Sequence, residues 1–187
     1  ELEVLASVLD RPLLEVLDVI ETAETARLVR EDESGGTCSF TDEIVRQALV
    51  RELRPSRRAL AHQRIAEVLE EERSHQIDEL ALHWQAAMGA HATERAIHHL
   101  RRAADRDMRA AAWESSVERL RTVLDLIEST GDSDSEVLGE IHYELGFSLR
   151  TIGRSEYRPE LVRAGELARR TGNAELLARS AIAMMRP

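Results

Sequence analysis

Apolar side chains recur three and four residues apart along most of the chain, the spacing of helices that bury one face. Residues 1–9, with Leu2, Leu5, Val8 and Leu9, predict a helix ended by Asp-Arg-Pro. Pro12 to Ala26 predicts a second, with Leu13, Leu14, Leu17, Ile20 and Ala23 along one side. The period then shortens. The alternating run Ala26–Glu31, the turn residues Asp-Glu-Ser-Gly-Gly and the run Thr37–Phe40 predict a two-stranded hairpin. Thr41 is the expected N-cap of a third helix reaching about Leu53, with Asp42 and Glu43 in its first turn, where carboxylates suit the helix dipole.

From Ser56 onward the pattern is helical throughout: about 57–73, 76–88, 94–110, 113–129, 136–152, 156–171 and 174–185. Pro55 is expected to end one helix and Ser56 to cap the next. Met88-Gly89, Gly131, Gly153 and Thr171-Gly172-Asn173 supply later breaks, and Ser133 with Glu136 has the spacing of a capping box. The predicted fold is mostly α, with a boundary between 1–55 and 56–187. Helix, helix, hairpin, helix is the order at the end of a winged-helix module; the alternative is a plain helical domain with one loop. In the second part, Leu145-Gly146, Leu149 and Gly153 follow the spacing of a tetratricopeptide repeat. With Gly139 as position one, Ile97 opens an earlier repeat, Ala103 and Ala104 fill its small positions, and Trp113 and Leu120 its large ones. The alternative is an irregular helical bundle.

Composition sharpens this picture in three ways. Aromatic residues make up only 3% of the chain, leaving few segments able to sustain strands. All 25 basic residues are arginine, yet the net charge is -10, which argues against a general nucleic-acid surface. One cysteine, Cys38, excludes an internal disulfide, and no apolar run is long enough to span a bilayer, so a cytoplasmic protein without a membrane contact is expected. The chain opens without Met inside an amphipathic pattern and closes on an uncapped apolar helix, as expected of a segment of a longer protein.

Catalytic patterns are missing. There is no phosphate-binding Gly-rich loop and no lysine to contact phosphate, so this segment is expected neither to hydrolyse ATP nor to hold a cofactor. Glu79 and His83 have helical i,i+4 spacing, but no second pair completes a metal site. Asp132 to Glu136 lacks the glycine and the distal glutamate of a calcium loop. Cys38 has no His and Asp partners at nucleophile spacing and reads as a half-buried strand residue.

Arg46, Arg51, Arg54, Arg57, Arg58 and Arg64 crowd the break between the third and fourth helices. Residues 1–55 carry thirteen carboxylates against six arginines, a balance of -7, and the helix that would enter a DNA groove bears Glu15, Asp18, Glu21 and Glu24. The arginines are therefore expected to pair with Asp42, Glu43, Glu52 and Glu70–Glu72 at a joint, each exposed pair contributing about 0–1 kcal/mol.

The segments "FTDEIVRQALVRELRPSRRALAHQRIAEVLE", "IDELALHWQAA", "ERAIHHLRRAADRDMRAAAWESSVERLRTVLDLIE" and "LARRTGNAELLARSAIA" resemble the region behind the nucleotide-binding core of bacterial STAND ATPases, the LuxR-type or MalT-like transcriptional regulators and their nucleotide-cyclase-linked relatives. That family commonly has His at the head of the third helix, a position suspected of sensing nucleotide; this chain has Asp42. The resemblance implies ATP as cofactor of the parent protein only. It implies a non-enzymatic segment in which a winged-helix spacer couples an upstream ATPase to a helical-repeat receptor for a protein or small inducer. The groove positions it assigns are His98, Arg101, Asp105, Met108 and Arg109 in one repeat and Glu140, Tyr143, Phe147, Arg150 and Thr151 in the next. Leu176, Leu177, Ala181, Ile182 and Met185 form an apolar face expected to self-associate. A pure protein-docking scaffold and a DNA-binding winged helix with a helical dimerisation domain are the alternatives.

Overall fold

The computed structural model describes residues 1–32, 35–131 and 134–185. It divides into two compact units, residues 1–92 and 93–187, so the expected boundary at 55/56 falls inside the first. The fold is mostly helical, with one small antiparallel hairpin. No helix among the described residues is long and apolar enough to cross a membrane.

The first unit opens with α1 (Leu2–Leu9) and α2 (Leu13–Thr25), then β1 (Val29–Glu31) and β2 (Cys38–Phe40). Val29 stands opposite Phe40 and Glu31 opposite Cys38. Leu2, Ala6, Val16, Ile20 and Val29 form a small core, with Leu5, Leu17, Ala23 and half-buried Cys38 packed against it. The α3 helix (Glu43–Glu52) follows, then α4 (Pro55–Glu72) and α5 (Ile77–Ala86). Ala59, Ala66 and Leu69 lie on one buried stripe of α4, α4 packs on α5, and Leu80, Ala81 and Trp84 of α5 are buried. The indole nitrogen of Trp84 donates to Glu70 Oε1 at 3.2 Å.

Three local expectations are corrected here. Asp42, not Thr41, caps α3: its Oδ1 accepts from the Ile44 amide at 2.6 Å, while the Thr41 hydroxyl donates to the Arg27 carbonyl at 2.7 Å and ties down the hairpin base. Pro55 is the first residue of α4 rather than the stop of α3, since a proline lacks only an N–H that the first turn leaves unused; Ser56 is thus already helical. The arginine joint is only partly paired. Arg46 Nε donates to Glu43 Oε2 at 2.7 Å and Arg64 pairs with Glu67 at 3.4 Å, but Arg51, Arg54, Arg57 and Arg58 form no ion pair among the described residues.

The second unit holds α6 (Ala90–Arg109), which begins four residues ahead of expectation, α7 (Trp113–Thr130), α8 (Ser135–Thr151), α9 (Tyr157–Thr171) and α10 (Ala174–Met185). Each helix from α7 onward packs on the next, and α10 also reaches back to α8. Gly131 and Gly172 end α7 and α9 in the left-handed conformation, at φ 68° and 73°. Asp134 caps α8 by accepting from the Glu136 amide at 2.9 Å. Ser133, the expected cap, lies outside the described residues with Asp132. Two glycines let α8 approach its neighbours closely. A Cβ on Gly146 would lie 2.8 Å from Leu161 Cγ of α9, and one on Gly139 would lie 2.9 Å from Leu176 Cδ2 of α10.

Candidate functional site

The candidate site lies in the second unit, beside the stripe of α8 that carries its glycine notches. Helical spacing puts Glu140, Tyr143, Phe147, Arg150 and Thr151 on neighbouring stripes of this helix. Phe147 remains 37% exposed although α8 is packed on both α7 and α9, so it is available at the surface. Its ring stacks on Tyr143 with centroids 6.2 Å apart and meets Trp113, at the start of α7, edge-on at 5.8 Å. The Arg179 guanidinium of α10 sits 4.2 Å from the Tyr143 ring centroid and donates to Glu140 Oε2 at 3.2 Å.

From α6, Arg101 and Asp105 join this cluster through Glu144. Burial raises the pKa of Glu144; the Arg101 guanidinium opposes the shift, the Glu140 and Asp105 carboxylates add to it, and Arg179 opposes it. Arg101 Nε is buried without a hydrogen-bond partner among the described residues. The other α6 positions engage their own helix: His98 meets the His99 ring edge-on at 5.0 Å, and exposed Arg109 pairs with Asp105 at 2.6 Å. Met108 is half-buried.

Beyond Phe147 the surface opens into a depression of about 670 Å³ lined by Phe147, Arg150, Thr151, Tyr157, Arg158, Met184 and Met185. Arg158 lies 5.6 Å from the Tyr157 ring centroid. Aromatic rings, two thioethers and two guanidiniums, with no lining carboxylate among the described residues, suit an apolar anchor beside an anionic group. Sequence reasoning singled out the α8 residues and did not single out Trp113, Glu144, Tyr157, Arg158 or Arg179 as site residues. Of these, Trp113 lies on α7, Tyr157 and Arg158 on α9 and Arg179 on α10, and their reach depends on how those helices pack.

The proposed self-association face is narrower than the sequence suggested. Leu176 is 1% exposed, because α10 turns the stripe of Leu176, Ser180 and Ala183 onto α9 and α8. Leu177 is half-buried, whereas Ala181, Ile182 and Met185 are exposed.

In the first unit, His62 and His83 bring their Nδ1 atoms to 2.9 Å across α4 and α5. Among the described residues no group of three or more His, Cys, Asp or Glu side chains is arranged to hold a metal ion. No family model, curated protein or solved structure matches this chain.

Proposed function

We propose that this chain is a non-catalytic regulatory segment of a STAND-type regulator, in which a partial winged helix precedes a tetratricopeptide-like array and a groove on that array receives a protein or small inducer. The observation that carries the reading is the cluster on α8: exposed Phe147, stacked on Tyr143, with Arg179 over the Tyr143 ring and Arg150 beside Phe147 in a depression of about 670 Å³. Solvent-facing aromatics framed by arginine are costly to leave bare and serve recognition well. Gly146, which admits Leu161 of the following helix, supports the tetratricopeptide part, since that repeat needs a small residue where its paired helices cross. The resemblance of the arginine-rich and Ala/Leu segments supplies the ATPase upstream.

Two observations test it at different depths. The reading frame ahead of Glu1 is expected to encode a Gly-rich phosphate loop ending in Lys-Ser or Lys-Thr; its absence would remove the STAND assignment. Arg101→Glu and Arg150→Glu, each introduced into the intact regulator, are expected to abolish its inducer response while its circular dichroism stays that of the folded protein. A full response from a normally folded double variant would sink the groove.

A further inference from the structure

Helix α3 buries none of its side chains. Ile44 is 76% and Leu49 44% exposed, and Leu53, just past the helix end, is 42% exposed. A helix of 10 residues is marginal alone in water and normally draws its stability from packing an apolar face. Around its C-terminal end lie the exposed guanidiniums of Arg51, Arg54, Arg57 and Arg58, which form no ion pair among the described residues. Arg46 is different: its hydrogen bonds hold the Glu43 carboxyl down at about 2. Ile44, Ala48 and Arg51 share one stripe of α3, and Arg57, Leu60 and Arg64 share one of α4, with Leu60 65% exposed. A depression of about 380 Å³ among Glu52, Leu53, Arg54 and Arg57 marks the bend between the helices.

We propose that the α3–α4 elbow docks an acidic amphipathic helix of a partner protein, whose carboxylates pair with Arg51, Arg54, Arg57 and Arg58 and whose apolar side chains cover Ile44, Leu53 and Leu60. Guanidinium forks match carboxylates in geometry as well as charge. A nucleic acid fits less well. Residues 1–92 carry nineteen carboxylates against ten arginines, so a phosphate backbone running past the patch is repelled, and it offers nothing to cover the exposed leucines. A partner helix satisfies both kinds of exposed group at once.

The test uses a labelled helical peptide with Leu along one face and Glu along the other, titrated onto the whole chain with anisotropy as readout. Its scrambled isomer, its Lys-for-Glu counterpart and a duplex DNA of similar length are titrated alongside. The amphipathic acidic peptide is expected to bind at least about tenfold more tightly than each of these. Binding should weaken with salt and slow hydrogen exchange at the α3 amides, where a covered helix stops fraying. Arg54→Glu with Arg57→Glu, and separately Leu53→Ser with Leu60→Ser, should each cost about tenfold or more in affinity with unchanged circular dichroism. Equal binding of the scrambled peptide, tighter binding of the duplex, or affinity untouched by both double variants would overturn the proposal.

Discussion

One methyl group separates tolerance from collision at two buried glycines. The missing Cβ of Gly146 would lie 2.8 Å from Leu161 Cγ and 2.9 Å from Leu161 Cδ2, and Leu161 is itself fully buried and cannot swing aside. Overpacking of this kind costs about 1–3 kcal/mol, against about 1 kcal/mol recovered when Ala replaces Gly within a helix. Gly146→Ala is therefore expected to destabilise by up to about 2 kcal/mol. Gly165 offers the contrast. Its added Cβ would meet only Leu177 Cδ1 at 3.7 Å, an ordinary contact. Gly165→Ala should stabilise by about 0.5–1 kcal/mol. Urea midpoints of the two variants are expected to move in opposite directions; movement in the same direction would mean that α8 does not pack on α9 as closely as the glycines imply. Ala111 adds a third case, since it holds φ at 57° without being glycine. Ala111→Gly relieves a strain of about 1 kcal/mol and should raise the midpoint.

At the scale of helices and strands, the breaks were legible because Gly and Pro punctuate them, and the hairpin because alternation replaces the 3.6 period between Ala26 and Phe40. Caps were less so. Thr41 and Asp42 are both good capping residues, and only the Thr41 hydroxyl's bond to the Arg27 carbonyl, fourteen positions away in sequence, decides between them. The stripe of α8 could be drawn from spacing alone, while Arg179 and Trp113 reach it from other helices that no local pattern aligns. The His62–His83 pair was invisible for the same reason: Glu79 and His83 share a helix, but the partner sits on α4. With Nδ1 facing Nδ1, one ring must donate and the other accept, so full protonation breaks the bond. Burial lowers both pKa values, with Arg58 adding to the shift at His62 and His62 to that at His83. The folded state thus binds fewer protons than the unfolded one. The stabilisation is complete above the ordinary value of 6.5 and is lost as pH falls below it. The protection of the α4 and α5 amides against hydrogen exchange, taken relative to the intrinsic rate at each pH, should fall between neutral and mildly acidic pH. His62→Phe should flatten that dependence; a dependence unchanged in the variant would assign it to other groups.

Charge and exposed apolar surface act against each other across the whole molecule. The net charge of -10 repels one copy from another, and this repulsion is strongest at low ionic strength. On α10, however, Ile182 is 58%, Met184 39% and Met185 82% exposed, an apolar edge that a second copy could cover. If this edge mediates self-association, raising salt should strengthen it, because screening removes the repulsion and leaves the apolar attraction intact. Docking of an acidic helix on the α3–α4 arginines has the opposite sign, since screening there removes attraction. Salt therefore distinguishes the two surfaces whatever covers each of them. Sedimentation equilibrium of the whole chain is expected to show a weight-average mass that rises with protein concentration, more steeply at high salt. Ile182→Glu with Met185→Glu should return the monomer mass at both salts, since the two added carboxylates face solvent and leave Leu176, Ser180 and Ala183 in their buried stripe. A monomer at every concentration and salt would remove the C-terminal helix as an interface, and association that weakens with salt would move it to the arginine elbow.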